Sequence, residues 1–199
     1  MKRILVISWF FPPINSSEGL VTYKLLNNSN LKYDVYTQKN NNLWSYINTD
    51  KLKLNKNINA IYSESTTLEE YVENALKYFD ENHNIYDIIM TRSMPEESHI
   101  IGLKIKEKYP NIMWISSFGD PIANNPYTLI SIDTKNPYAL SERYNRHISV
   151  KEMISPKRML KDYIYKRRIN VTKKNLIYKN IALQKEIINK SDYSIYNST

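Results

Sequence analysis

The sequence predicts an α/β protein with a doubly wound, Rossmann-like parallel sheet and flanking helices. Short apolar, β-branched runs alternate along the chain with amphipathic helical segments, which is the pattern of βαβ units. The first run, RILVIS at residues 3–8, has four consecutive apolar residues at 4–7, as expected for a strand covered on both faces. The chain has 199 residues, of which 42% are hydrophobic and 24% charged, so it is large enough to bury such a core.

The first half of the chain predicts three strands, at residues 3–8, 32–38 and 57–63. Residues 19–28 have helical spacing, and the side chains expected to face the core are Leu20, Val21, Tyr23 and Leu25. A second helix begins at two overlapping capping boxes, in which Thr66 and Thr67 each precede a glutamate by three residues. Its predicted inward positions are Leu68, Val72, Ala75, Leu76 and Phe79.

The second half predicts three further strands, at residues 86–92, 111–119 and 192–199. Ser93 and Glu96 have capping-box spacing around Pro95, which predicts a helix running to about Lys108. Residues 128–190 predict a polar loop and a basic helical region within the same domain. Pro156 and the β-branched run INVT at 169–172 are expected to divide that region into two helices. We expect residues 1–199 to form one domain.

Positive charge is concentrated near the end of the chain. Residues 142–190 contain 14 Lys and Arg against 4 Asp and Glu, although the net charge of the whole chain is +8. Such a block fits an anionic membrane surface or nucleic acid, and it is equally compatible with a solvated surface in a Lys-rich composition. No RNA-binding aromatic motif or zinc-finger pattern accompanies it, so nucleic acid is the less favoured partner.

Several classes of chemistry are excluded or disfavoured by composition. The chain has no cysteine, which excludes disulfides and thiolate chemistry. It has no run of eighteen apolar residues and no cleavage site for a signal peptide, so we expect a cytoplasmic protein, with peripheral attachment at the inner face of the membrane as a further expectation. His83, His99 and His147 lie far apart, and no protein-built metal site is expected.

Three loops should meet at the carboxyl edge of the predicted sheet, where ligands of such folds bind. They are residues 9–19, 92–99 and 117–127. The first leads through Ser16, Ser17, Glu18 and Gly19 into a helix, so its backbone amides suit an anion. The bland alternative is a tight turn in which Ser16 or Ser17 caps the helix, and the residues alone favour that alternative.

The other two loops contain the remaining candidates. Arg92, Ser93 and His99 follow one strand, although a lone histidine at such a position is more often structural. Gly119 and Asp120 follow the next strand. Because they lie at the ligand edge, Asp120 is a stronger candidate for a functional role than an ordinary surface carboxylate. One carboxylate does not define a reaction.

Together the three loops resemble a known family. The segments ILVISWFFPPINSSEGLVTYKLL, YDIIMTRSMPEESHIIGLKIKEKYP and MWISSFGDP, in this order, are similar to the N-terminal, acceptor-side domain of GT-B glycosyltransferases of the family 4 type. The tail EIINKSDYSIYNST resembles the helix and strand that close that domain. The likeness extends from Arg3 to Thr199 and implies one half of a GT-B architecture.

The resemblance implies an enzyme that moves a sugar from a nucleotide-diphosphate sugar to a glycan or lipid-linked acceptor, mostly with retention and without a metal or other cofactor. It implies that the backbone of Ser17, Glu18 and Gly19 approaches the donor diphosphate and the acceptor. It places Asp120 beside the reacting hydroxyl as the catalytic group. Ser16 and Gly119 belong to the same binding loops.

On the acceptor side the resemblance places Arg92, Ser93 and His99. The family's second domain, which binds the nucleotide-sugar, is absent from these 199 residues, so we expect the chain alone to be inactive or nearly so. The family often has paired glycines in the first loop, whereas this chain has Glu18 before Gly19. Glu18 is therefore a candidate for binding acceptor hydroxyls.

Relatives that use lipid-linked acceptors meet the membrane through basic helices of this domain. The corresponding segment here, SPKRMLKDYIYKRRI, mixes cations with Tyr, Ile, Leu and Met, which suits an anionic lipid surface. The expected membrane contacts are Lys157, Arg158, Lys161, Arg167 and Arg168.

Overall fold

A computed structural model describes residues 2–14, 16–39, 52–123, 125 and 156–196, and within the last of these stretches the side chains of residues 163, 164, 167, 168 and 170–196. The predicted polar loop at 128–150 and the segment 151–155 lie outside the described residues. The chain divides into two compact units, one made of residues 1–120 and 185–199 and the other of residues 121–184.

The first unit contains a six-stranded sheet, and all of its strands are parallel. The strands are β1 (Arg3–Ile7), β2 (Lys32–Gln38), β3 (Ile58–Ser63), β4 (Ile88–Arg92), β5 (Met113–Phe118) and β6 (Tyr193–Tyr196). Their order is β3-β2-β1-β4-β5-β6, the order of a doubly wound sheet. The predicted α/β class and parallel sheet are confirmed.

The helices are α1 (Ser17–Asn27), α2 (Leu68–Asn82), α3 (Glu97–Lys108) and α4 (Pro156–Lys190), with a 3₁₀ turn at His83–Ile85. The prediction of two helices in the basic region is wrong, because α4 is continuous over 35 residues. Pro156 is its first residue, where a missing N–H costs nothing. The INVT run lies inside α4, since β-branched residues reduce helix stability by only a fraction of a kcal/mol each.

Apolar side chains cover both faces of the sheet. On one face Ile4, Val6, Val35 and Met90 form a cluster with Leu26 of α1. On the other face the rings of Tyr36 and Tyr71 lie 5.5 Å apart, which places α2 against β2. Gly102 of α3 lies against the Trp114 indole of β5 so closely that a Cβ would come within 2.5 Å of the ring. The sheet therefore separates α1 from α2 and α3.

The predicted inward face of α1 needs correction. Val21 is 42% exposed and Leu25 is 49% exposed, whereas Gly19, Thr22 and Leu26 are buried. The buried stripe includes Thr22 because its hydroxyl is hydrogen-bonded to the Glu18 carbonyl oxygen at 2.8 Å. Hydrophobicity alone does not identify such a polar inward position.

Of the predicted capping boxes, only one forms as expected. The Thr67 hydroxyl accepts from the Glu70 N–H at 3.1 Å and the Glu70 carboxylate accepts from the Thr67 N–H, which confirms that box. Thr66 also donates to Glu70, not to Glu69.

The box at Ser93 is wrong. The N-cap of α3 is Glu96, not Ser93, and Glu96 makes no side-chain capping bond; the Ser93 hydroxyl accepts from the Gly119 N–H instead. On the core face of α2, Tyr71, Val72, Ala75 and Phe79 are buried, whereas the predicted Leu68 and Leu76 are only partly so.

Candidate functional site

The candidate site lies where the strand order reverses. β1 and β4 are neighbours, but the chain runs from β1 to β2 on one side and from β4 to β5 on the other. The connections after β1 and β4 therefore lead to opposite sides of this point at the carboxyl edge, and such a point is where ligands bind in open α/β sheets. Arg92, the last residue of β4, is in register with Ser117 of β5.

The first loop begins with a tight, anchored turn. The peptide between Pro12 and Pro13 is cis, and the Ile14 N–H donates to the Phe11 carbonyl at 2.9 Å, which makes residues 11–14 a type VI turn. The Tyr62 hydroxyl donates to the Pro12 carbonyl at 3.0 Å. The two prolines thus shape a closed turn against the body of the unit.

The start of α1 is capped from within the chain. The Ser16 hydroxyl accepts from the Gly19 N–H at 3.0 Å, which confirms the capping alternative for this loop. Gly19 also lies close to the loop, since a Cβ there would come 3.1 Å from the Ile14 carbonyl oxygen. The Gly19 amide is therefore already occupied, while Ser17 is exposed on the first turn.

Arg92 is a buried hydrogen-bonding centre rather than an exposed ligand contact. Its side chain is 1% exposed. The guanidinium donates at 3.1 Å to Thr22 Oγ1, at 2.6 Å to Ser117 Oγ and at 2.6 Å to Glu18 Oε1. These three bonds link α1, β4 and β5 at the carboxyl edge of the sheet.

Glu18 is the carboxylate that this arginine holds. Its side chain keeps 13% exposure, and a Cβ on Gly119 would collide with the Glu18 carboxylate, so only glycine fits there without moving it. Burial raises the pKa of Glu18, Arg92 opposes that shift, and the charge of Asp120 adds to it. Glu18 and Asp120 are therefore close enough to interact.

Hydrogen bonds of Ser93 connect the second loop to the third. Its Oγ accepts from the Gly119 N–H at 2.7 Å and lies 3.5 Å from the Asp120 carbonyl oxygen, to which it donates. The Ser93 N–H donates to the Ser117 carbonyl at 3.0 Å. Asp120 itself is exposed, so its carboxylate is presented at the edge with its main chain fixed.

His99 lies in the core rather than at the open edge. It is fully buried, with Nδ1 2.7 Å from Thr91 Oγ1 and its ring 4.5 Å from that of Phe118. Burial, and to a lesser extent Arg92, lower the pKa of His99 to about 3, so the ring is neutral. The resemblance implied that His99 lines the acceptor side, but in the structure its side chain is buried next to Thr91.

The structure thus brings together Glu18, Gly19, Arg92, Ser93, Gly119 and Asp120 from three loops. Sequence reasoning did not identify Thr22 and Ser117, which bind the arginine. The available signal was a hydroxyl one helical turn after Glu18 and another at a strand end, and such residues are too common to single out. Pro121, Ile122, Ala123 and Asn125 belong to the second unit, and residues 124, 126 and 127 of the third loop lie outside the described residues.

The expected membrane contacts lie on α4, where Arg167 and Arg168 are exposed. For Lys157, Arg158 and Lys161 only the helical backbone is described. Tyr163, Ile164 and Val171 are exposed on the same helix, and the Lys174 ammonium lies 5.8 Å from the Tyr178 ring centroid. No helix in the described part of the chain combines the length and apolar character needed to cross a bilayer.

Among the described residues, no group of three or more His, Cys, Asp or Glu side chains is placed to hold a metal ion. No protein-family model, no curated protein and no solved structure matches the chain.

Proposed function

We propose that this chain is the acceptor-side domain of a GT-B-type glycosyltransferase, which moves a sugar from a nucleotide-diphosphate sugar to a glycan or lipid-linked acceptor. The observation that carries the proposal is the convergence of Glu18, Gly119 and Asp120 at the point where the strand order reverses. Carboxylates at such a point accept hydrogen bonds from sugar hydroxyls, and a hydroxyl acceptor must give up a proton during transfer.

Asp120 is the residue best placed to assist that proton transfer. It is exposed, and its carboxylate has no hydrogen bond or ion pair within the described residues. Glu18, by contrast, is already bound to Arg92. Asp120 is therefore the proposed catalytic group, and Glu18 is a proposed binding group for the acceptor.

The donor phosphates require cations, and Arg92 is the only Lys or Arg in residues 9–19, 92–99 and 117–127. Arg92 is buried and engaged by three partners, so it does not offer an exposed charge to a diphosphate. A second domain supplying such groups is part of the proposal, and leaving-group charge would be stabilised there. The 199-residue chain alone is expected to transfer no sugar.

The test is a transfer assay on the gene product as the native cell makes it. Purified product is incubated with radiolabelled UDP-glucose, UDP-N-acetylglucosamine or GDP-mannose and with native membranes and polysaccharide. Transfer is expected, and Asp120→Ala should reduce its rate by about 10²-fold or more, the size of a lost general base. Glu73→Ala, which removes an exposed carboxylate on α2, is the matched control.

Two outcomes would contradict the proposal. Transfer by Asp120→Ala at the rate of the unchanged protein would remove Asp120 from the mechanism. Absence of transfer from all three donors, in a product that carries a second nucleotide-binding domain, would refute the assignment as a glycosyltransferase of these donor classes.

A second candidate function is a non-catalytic module that binds an anionic membrane through α4. The observation that favours it is the exposure of Tyr163, Ile164 and Val171 beside Arg167 and Arg168. Apolar side chains, a tyrosine ring and cations exposed on one helix suit the boundary between lipid headgroups and acyl chains.

Vesicle sedimentation tests this second function. We expect binding to vesicles of phosphatidylglycerol and phosphatidylcholine, little binding to pure phosphatidylcholine, and a fall in binding with rising salt. Arg167→Glu with Arg168→Glu should weaken binding, whereas Lys104→Glu, at an exposed position of α3, should not. Equal binding by the double variant would contradict the assignment, and tighter binding to a single-stranded oligonucleotide than to vesicles would favour nucleic acid.

A further inference from the structure

The carboxyl edge of this sheet contains the parts of an anion site. The first turn of α1 presents the positive end of a helix, and a guanidinium lies beside it. Both parts, however, already face a carboxylate of the chain itself. Glu18 is in that first turn, and its Oε1 lies 2.6 Å from Arg92 Nη2.

An external anion has no direct access to this cation. Arg92 is 1% exposed, and its other two nitrogen atoms, Nε and Nη1, donate to Thr22 and Ser117. A phosphate would reach the guanidinium only by displacing Glu18. The Glu18 side chain therefore occupies the place of an anionic ligand.

The second oxygen of Glu18 is the group that the edge offers instead. Oε1 is bound to Arg92, whereas the described residues give Oε2 no hydrogen bond, and it lies against the Gly119 backbone. The charge of Asp120 lies near it. Two neighbouring carboxylates repel phosphate and accept hydrogen bonds from hydroxyl groups.

We propose that Glu18 determines the ligand class of this edge, because its carboxylate fills the anion position on Arg92 and leaves a surface that binds neutral hydroxyl groups and excludes phosphate. This inference rests on the proposed function only in identifying those hydroxyls as those of a sugar acceptor. Arg92 is then a positioning residue, which orients Glu18 and does not itself touch the ligand.

The experiment measures binding of inorganic pyrophosphate to the 199-residue chain by amide chemical-shift titration. The unchanged chain should show no saturable binding at this edge. Glu18→Ala should bind pyrophosphate at least about tenfold more tightly, because Arg92 and the first turn of α1 become accessible. Glu18→Ala combined with Arg92→Met should lose that gain.

The matched control is Glu73→Gln, which removes an exposed carboxylate on α2 that belongs neither to the candidate site nor to the partners of Arg92. It should leave pyrophosphate binding at the level of the unchanged chain. Glu18→Gln keeps the side-chain volume and an oxygen for Arg92, so it serves if Glu18→Ala does not fold. It should also gain pyrophosphate binding, to a smaller extent.

Two results would overturn the inference. Pyrophosphate binding by the unchanged chain as tight as by Glu18→Ala would show that Glu18 excludes nothing. Folded Glu18 variants, verified by circular dichroism, that all fail to bind would show that Arg92 and the helix start form no anion position. Neither readout uses sugar transfer, so failure of the transferase assay and failure of this inference are distinguishable.

A saturation-transfer measurement with methyl glycosides tests the second part of the inference, that Glu18 binds hydroxyl groups. The unchanged chain should give a saturation-transfer signal for one glycoside, and adding a second glycoside should reduce that signal by competition. In Glu18→Ala the signal should be at least about tenfold lower. An unchanged signal in Glu18→Ala would overturn the claim that Glu18 binds hydroxyls.

Discussion

Two arginine–carboxylate pairs lie at opposite ends of the same sheet and differ in which partner is buried. At the carboxyl edge Arg92 is 1% exposed and Glu18 is 13% exposed, with 2.6 Å between them. At the amino edge Arg3 is 45% exposed and Asp34 is 3% exposed, at 2.7 Å. The two pairs have almost the same length, but the buried charge is the cation in one and the carboxylate in the other.

The pKa values of the two carboxylates shift in opposite directions. Burial raises the pKa of Glu18, and its single bond from Arg92 does not compensate. Burial also acts to raise the pKa of Asp34, but donors from Arg3, Asn59 and Tyr86 outweigh it and the net shift is downward. The ion-pair distance therefore does not decide the direction of the shift, because the two sites differ in burial, in the number of donors and in the charge of Asp120 beside Glu18. A carboxylate with few donors is the one suited to bind a ligand.

Removing the arginine of each pair should give the largest contrast. Arg92→Met leaves Glu18 without its cation inside the structure and should lower the free energy of unfolding by about 3–5 kcal/mol. Arg3→Met should cost only about 1 kcal/mol, since Arg3 is half exposed and Asp34 keeps two donors. Urea unfolding measures both, and equal losses would contradict the difference drawn between the two ends.

Removing one neutral partner from each pair should give a smaller contrast. Ser117→Ala leaves a buried Arg92 N–H without its acceptor and should cost about 1.5–3 kcal/mol. Tyr86→Phe removes one donor from Asp34, which retains Arg3 and Asn59, and should cost about 1 kcal/mol. Urea unfolding measures both losses of unfolding free energy. A larger loss for Tyr86→Phe than for Ser117→Ala would contradict this prediction.

The smallest of the expected effects concerns the pH dependence of the free energy of unfolding. The contributions of Asp34 and Glu18 should change with pH in opposite directions. The stabilisation from Asp34 is present above its ordinary pKa of 3.8 and is lost as the pH falls through its lowered pKa in the folded protein. The contribution of Glu18 is present below its ordinary pKa of 4.5 and is lost as the pH rises through its raised folded-state pKa.

Unfolding free energies measured from pH 3 to pH 8 test these signs. Asp34→Asn should flatten the acid side of the profile, and Glu18→Gln should flatten the decline above the ordinary pKa of the glutamate. Each change in the profile should be smaller than the loss expected for Ser117→Ala. A profile for Glu18→Gln parallel to that of the unchanged chain would contradict the raised pKa of Glu18.

The local sequence pattern was sufficient to predict those elements whose structure depends mainly on residues close together in the chain. The strand at 32–38 was predicted at its observed bounds, since its tyrosines and β-branched residues favour a strand. The capping box at Thr67 needs only residues three apart and was likewise predictable. The placing of three loops on one edge followed from the parallel strand order.

Prediction failed where a side chain has partners far along the chain. Ser93 has capping-box spacing, yet its hydroxyl binds Gly119 instead. His99 was open to either core or cleft, and the Thr91 hydroxyl and the Phe118 ring hold it in the core. In α4, helical continuity overrode the local signals of the INVT run.

The sequence by itself determined the alternation of strands and helices, and thereby which residues stand at the carboxyl edge. Only the tertiary structure decided that Arg92 is buried and that Glu18, 74 residues away, is its partner. The physical reason is that strand and helix patterns arise from neighbours within a few residues, whereas burial and hydrogen bonding at the edge depend on how separate loops cross.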